Sequence, residues 1–180
     1  MKPRRLTPDL QVLLDLFYTS ADELGQFTEV DAAEMPEPFR ILLDHDQHMT
    51  VTVEAFHCCP VDVRVLQTRS TETHYARKIL LSRQTDGRVV QFGLVRLNLD
   101  YLPPAARREI EEQKTPLGRV LIQHNVMRDV RLLSLWRITP GADLQKLFAI
   151  SPTETCYGRT ALIYCNGVPA VELLEIVTPT

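Results

Sequence analysis

Two runs of alternating apolar residues, Tyr157 to Cys165 and Val168 to Val177, flank the dipeptide Asn166-Gly167. A two-residue type I′ turn needs positive φ at both central positions, and Asn-Gly meets that need at low steric cost. The end of the chain therefore reads as an antiparallel hairpin. The pattern recurs upstream. Tyr75 to Arg83 and Val89 to Leu97 have a period of two and turn at Asp86-Gly87. Thr50 to His57 and Val61 to Thr68 are rich in β-branched residues and are separated by Cys58-Cys59-Pro60, which predicts a further hairpin. Val130 to Ile138 adds another strand. Successive strands joined by short turns, with helices between some of them, predict an α+β domain built on an antiparallel sheet.

The helical segments show a different spacing. After Thr7-Pro8-Asp9, residues Leu10, Leu13, Leu14 and Phe17 fall on one helical face. Leu99 to Gln113 carries Pro103-Pro104 at its start and reads as a helix, as does the shorter Asp143 to Ile150. Residues 26–38 are acidic and contain proline, which predicts a loop. Phe39 to Leu43 is a short apolar element leading into Asp44-His45-Asp46-Gln47-His48. No repeat, low-complexity tract or linker divides the 180 residues. Their 44% hydrophobic content suffices for one compact core. The reading is a single domain over 1–180, with an N-terminal helix and loop in 1–40 and the sheet core in 41–180.

Several function classes find no support. A net charge of -3 offers no electrostatic footprint for nucleic acid or an anionic membrane. No apolar run approaches the ~20 residues of a spanning helix. The basic start Met1-Lys2-Pro3-Arg4-Arg5-Leu6 is not followed by a signal-peptide core. Cys58, Cys59, Cys156 and Cys165 lack CxxC spacing, which points to a reduced, cytoplasmic setting, with Cys58 and Cys59 as small apolar fillers. His45, His48, His57, His74 and His124 lack HxxxH or HExxH spacing, so no metal site is expected. There is no GxSxG, P-loop or GxGxxG, and Trp136 with five Tyr makes no stacking platform.

Three places could carry chemistry. In Lys114-Thr115-Pro116-Leu117-Gly118-Arg119, Thr115 suits an N-cap and Pro116 the first helical position. The amides of Leu117, Gly118 and Arg119 would then face a small carboxylate or phosphate, although many such helix starts bind only water. On the strand Tyr75 to Leu81, Arg77 shares a face with Ile79 and Leu81, while Lys78 lies opposite with Ala76 and Leu80. If the Ile79 face is inward, Arg77 is a buried guanidinium that needs a carboxylate, from the protein or from a ligand. Glu172 and Glu175 lie on opposite faces of the last strand among aliphatic residues. A desolvated carboxylate there could donate a proton near neutrality, or simply pair with Arg77, Arg128 or Arg159.

In their order, these segments resemble the chorismate lyase family (chorismate–pyruvate lyase, 4-hydroxybenzoate synthase), in its divergent cyanobacterial and actinobacterial branch. The match runs from about Leu42 to the C-terminus. It comprises Leu42-Leu43-Asp44 with Met49-Thr50 and Glu54, Tyr75 to Leu81, and Lys114 to Leu121. Arg128-Asp129, Gly158-Arg159 and Asn166-Gly167-Val168-Pro169 complete it. The resemblance implies about six antiparallel strands, with helical flaps over an internal ligand cavity. It implies conversion of chorismate to 4-hydroxybenzoate and pyruvate, with no metal or organic cofactor. Arg77 would hold the ring carboxylate, the Leu117 amide would assist, and Arg128 or Arg159 would hold the pyruvyl carboxylate. Met49 and Thr50 would belong to the pocket lid.

A terminal glutamate would face the ether oxygen. Counting from Pro169 without a gap puts the family's glutamate at Leu174, while counting back from Pro179 puts it at Glu175, which needs a one-residue bulge. Glu175 is preferred, with Glu172 as the rival that keeps strand parity. Lys78 departs from the acidic residue of the proteobacterial pattern. A non-enzymatic binding domain of this fold, as in some bacterial transcription regulators, is the competing reading. A third is a scaffold whose buried Arg and Glu merely pair. Such a domain, with its pocket internal, could work as a monomer or a small homo-oligomer.

Overall fold

The computed structural model describes residues 9–126 and 128–178. The basic N-terminal stretch, Thr7, Pro8 and Pro179 lie outside them. The described chain is built on one seven-stranded sheet in the order β1-β5-β6-β7-β4-β3-β2, every neighbouring pair antiparallel. The strands are β1 (Gly25–Val30), β2 (Val61–Ser70), β3 (His74–Arg83), β4 (Val89–Asn98), β5 (Arg128–Pro140), β6 (Cys156–Cys165) and β7 (Val168–Val177). The helices are α1 (Leu10–Asp15), α2 (Glu37–Leu43), α3 (Met49–His57), α4 (Pro104–Glu111), α5 (Leu117–Gln123) and α6 (Ala142–Phe148). None is long and apolar enough to cross a membrane.

The β6–β7 hairpin turns at Asn166 (φ 52) and Gly167 (φ 81), the two positive values its turn type demands. The sheet buries both faces. Leu80, Phe92, Leu94, Leu174 and Ile176 point to one side, where α1 and α6 cover them through Leu13, Leu14, Leu144 and Phe148. On the other side the apolar core is split in two. Ile79, Leu81 and Val177 pack with α2 and α3 through Phe39, Leu42, Leu43, Met49 and Val53. Val95, Ala161, Ile163 and Leu173 pack with α4 and α5 through Ile110, Leu117, Val120 and Leu121.

The α+β class and antiparallel sheet agree with the sequence reading, and seven strands replace about six. Three expectations need correction. Within residues 26–38, Gln26 to Val30 belongs to strand β1, not to a loop. It is an edge strand with exposed Gln26, Thr28 and Glu29, and that polarity protects an edge while hiding its β character from a hydrophobic pattern. The segment Thr50 to His57 is helix α3, so Cys58-Cys59-Pro60 joins a helix to β2. Met49, Thr50 and Val53 are its buried residues, a helical spacing that tertiary packing imposes over β-branched propensity. Cys58 ends the helix in the left-handed region at φ 52.

The third correction concerns α5. Pro116 is its N-cap and Leu117 its first residue, so Thr115 lies outside the helix and does not cap it. Removing the fully buried Phe92 ring from the α1–α6 side should cost about 3–5 kcal/mol. Urea unfolding of Phe92→Ala checks this, with the loss appearing as a lower midpoint at unchanged m-value.

Candidate functional site

The register of the sheet sets out the site row by row. Arg77 pairs with Val95, Val95 with Leu173, and Leu173 with Ala161. The next row along the strands on this face is Ile79, Gly93, Glu175 and Arg159. The third is Leu81, Gln91, Val177 and Tyr157. All three rows point to the side where the core is split, and the gap between the two apolar clusters is a cavity. Arg77, Ile79, Gln91, Gly93, Arg159 and Glu175 line it from the sheet. His48, Met49 and Thr50, at the start of α3, and Pro116, Leu117 and Gly118, at the start of α5, close it from above. About 40 Å³ is open to the centre of a water molecule, room for roughly two or three waters.

Arg77 and Arg159 are both fully buried, and their circumstances are opposite. The Nε of Arg159 donates to Glu175 Oε2 at 2.8 Å, its Nη1 to His45 O at 2.7 Å, and its Nη2 to Gln47 O at 3.0 Å. Every nitrogen of that guanidinium is engaged. Arg77 is 1% exposed, and its Nε and Nη1 have no partner. Burial pushes its pKa below the ordinary arginine value, with the neighbouring Tyr75 acting the other way. An arginine still keeps its proton under these conditions. The cavity therefore holds a buried positive charge with two unused donors.

Two more buried polar atoms at this cavity lack partners, His48 Nε2 and Gln91 Oε1. Burial, and then the positive charges of Arg128 and Arg159, push the His48 imidazole down to about 4. It is neutral at physiological pH. Gly118 explains how α3 and α5 approach so closely. A Cβ there would stand 3.1 Å from both His48 Cβ and Thr50 Oγ1. Arg119 pairs with Glu54, whose Oε1 also accepts the Val61 N–H at 2.9 Å. The two lid helices and the start of β2 are thereby tied together.

The residues singled out in the sequence divide cleanly. Arg77, Arg159, Glu175, Met49, Thr50, Leu117 and Gly118 line the cavity. Glu172 does not; it faces the α1–α6 side of the sheet and pairs with Arg96 at 3.0 Å. Between Tyr164↔Pro169 and Ile163↔Val171 the β6–β7 register shifts, leaving Ala170 as an extra residue in β7. A one-residue bulge is the feature that the count back from Pro179 to Glu175 requires.

Arg128 is exposed. Its Nη1 donates to Val126 O at 3.2 Å, and it stands in an adjoining surface cleft with Asp46, Gln47 and Asn125. The cleft meets the cavity at His48 and Val130. Neither arginine proposed for a second carboxylate thus offers a free guanidinium inside the cavity. Lys78 points to the opposite face, where it pairs with Asp143 at 2.6 Å. The sequence reading missed Gln91 and the role of His48. Gln91 left one signal, an amide on the same strand face as Gly93 and Val95. No metal cluster occurs among the described residues.

The structure is similar to the effector domain of PhnF from Mycobacterium smegmatis. The TM-score is 0.56 at 11% sequence identity, covering 73% of this chain and 88% of that one. Against the longer structure of PhnF from the same organism the TM-score is 0.54 at 11% identity. That match covers 72% of this chain and 62% of PhnF, so the chain spans less than two thirds of it. The shared architecture is the chorismate-lyase-like fold. At this identity the likeness concerns the fold alone. No protein-family model and no curated protein sequence matches the chain.

Two outcomes test the polar architecture. Arg159→Ala leaves Glu175 without its cation and frees two backbone carbonyls, and should cost about 3–5 kcal/mol in urea unfolding. The His48 pKa is lower in the folded than in the unfolded chain, so the unfolded chain binds more protons between about pH 4 and 6.5. The stability His48 contributes is complete above that window and is lost as pH falls through it, by roughly 2–4 kcal/mol. His48→Gln should flatten the urea midpoint against pH across that window relative to wild type.

Proposed function

We propose that the cavity binds a small ring carboxylate through Arg77, and that the chain acts as a chorismate lyase. One observation carries the reading: a fully buried guanidinium with two unpartnered donors faces a cavity. A buried cation without a counter-ion is unfavourable in the free protein, and a bound carboxylate relieves it. Leu117 packs in the same cluster as Tyr75, Val95 and Leu173, the residues around Arg77. The carboxylate end of a ligand would therefore lie between Arg77 and the start of α5. Glu175, held by Arg159, would then face the oxygen substituents of the ring.

Chorismate suits such a site because the reaction asks little of it. The ring carbon that bears the hydroxyl gives up its hydrogen as a proton. The neighbouring carbon–oxygen bond to the enolpyruvyl group breaks, and its electron pair leaves with the enolate oxygen. That oxygen takes up a proton, the enol becomes pyruvate, and the ring becomes 4-hydroxybenzoate. No atom enters or leaves beyond substrate and products. Aromatisation drives the step, so Arg77 and Glu175 need only fix a productive conformer and its polar groups in a water-poor cavity. A ring is larger than the present space, so binding requires the His48–Thr50 wall or the neighbouring side chains to shift.

A second reading, binding without turnover, is favoured by the likeness to the PhnF effector domain and by the engagement of the Glu175 carboxylate with Arg159. Purified protein with chorismate and a chelator separates the two. Equal release of 4-hydroxybenzoate, by absorbance, and pyruvate, by a coupled assay, supports the lyase. Tight binding of 4-hydroxybenzoate without turnover supports the binding domain. Arg77→Met should lower kcat/KM, or ligand affinity, by about a hundredfold or more, the worth of a charge-assisted contact. The same variant should unfold at equal or higher urea concentration, because it removes an uncompensated buried charge. An arginine serving the fold would give the reverse.

A further inference from the structure

Gln91 is a cavity residue whose polar group is buried and unpartnered and whose row on the sheet lies away from that of Arg77. It is 3% exposed, and its Oε1 has no hydrogen-bond partner. Its neighbours across the sheet, Leu81 on β3 and Val177 on β7, are apolar and cannot satisfy it. The amide oxygen is a buried acceptor without a partner on a residue that lines the cavity.

Its position along the cavity follows from the register. Arg77 lies in the first row, Gly93 in the second and Gln91 in the third. Four residues of β3 separate the rows of Arg77 and Gln91, roughly 13 Å along the strand. Both side chains are long and line the same cavity, so their polar ends can stand closer than their backbones. Between them Gly93 presents no side chain, and a Cβ there would crowd Ile79 at 3.2 Å. The sheet side of the cavity thus carries a cation at one end and a hydrogen-bond acceptor at the other, with Ile79, Gly93 and the Glu175–Arg159 pair in the row between. A flat ring over Gly93, with a carboxylate toward Arg77, brings its opposite edge toward Gln91.

Resting on the ring-carboxylate reading above, we propose that Gln91 determines specificity by accepting a hydrogen bond from a ring hydroxyl opposite the carboxylate. The ligand class is then a hydroxylated ring acid, distinguished from the same acid without its hydroxyl. A buried acceptor left unpaired by the unhydroxylated compound penalises that compound, the strongest form of discrimination open to a small site.

Calorimetric titration of the purified protein with 4-hydroxybenzoate and with benzoate tests this. Wild type should bind 4-hydroxybenzoate at least about tenfold more tightly than benzoate. Gln91→Met, similar in volume but without the amide, should narrow the ratio to within about threefold by weakening 4-hydroxybenzoate alone. Gln91→Asn, a smaller change should the methionine variant fail to fold, should also narrow it. A ratio that survives both substitutions overturns the assignment and gives the hydroxyl to Glu175. Binding of both acids with equal affinity to wild type overturns it too, while leaving the ring-carboxylate reading intact. Failure of wild type to bind either acid overturns that reading and the assignment with it.

Discussion

The site depends on how Arg159 is spent. Its three nitrogens hold the Glu175 carboxylate and the carbonyls of His45 and Gln47, so a single buried side chain joins the middle of the sheet to the segment that leads into α3. That segment carries His48, and the helix start after it carries Met49 and Thr50, the wall of the cavity. A lysine could not replace it, because one ammonium cannot match a planar fork aimed at three acceptors on separate segments. With Arg159 saturated, the carboxylate nearest to the cavity is already taken. Arg77, one row along the sheet, is left without an anion among the described residues. The bare arginine and the saturated one are two consequences of the same arrangement.

The two faces of the sheet show what such a site requires. Behind the sheet, Leu80, Phe92, Leu94, Leu174 and Ile176 form one uninterrupted cluster with α1 and α6. In front, the core divides into two clusters with a polar row between them. Each unpartnered atom on that face is a burial penalty, so the continuous face must supply stability that the divided face forgoes. Substitutions that make the divided face more like the other should favour folding and abolish ligand binding, the trade found wherever a site is built from strained or unpaired groups.

Much of this was legible in the sequence, and the reasons for the misses are local. The β6–β7 hairpin was readable because Asn166-Gly167 permits few other conformations. Arg77 was readable because strand parity places it beside Ile79 and Leu81 whatever else the chain does. That Glu175 and not Glu172 lines the cavity was not, since it depends on which face of β7 the helices α3 and α5 cover. Helix α3 was misread because Thr50-Val51-Thr52-Val53 favours a strand, and its helical form is decided by Glu54, Arg119 and the approach of Gly118. Strand β1 was missed because an edge strand advertises polarity. Gln91 was passed over because a lone amide in a strand carries no motif, and only the register shows that it faces the cavity.

The lid bears on how any ligand reaches Arg77. Met49 and Thr50 cannot move by themselves, because the closest approach of the two lid helices is at Gly118, and Arg119 pairs with Glu54 one turn further along α3. Glu54 also accepts the Val61 N–H, which fixes the far end of α3 to the first residue of β2. The segment just before α3 is different. From Asp44 to His48 it holds to the sheet chiefly through Arg159, and it borders the outer cleft where Arg128 stands. On the reading proposed above, a ring acid entering from that cleft would meet the Arg128 cation at the surface, then the neutral His48 imidazole, then the unpaired Arg77 guanidinium inside. The cost of drawing its carboxylate out of water would then be spread along the path.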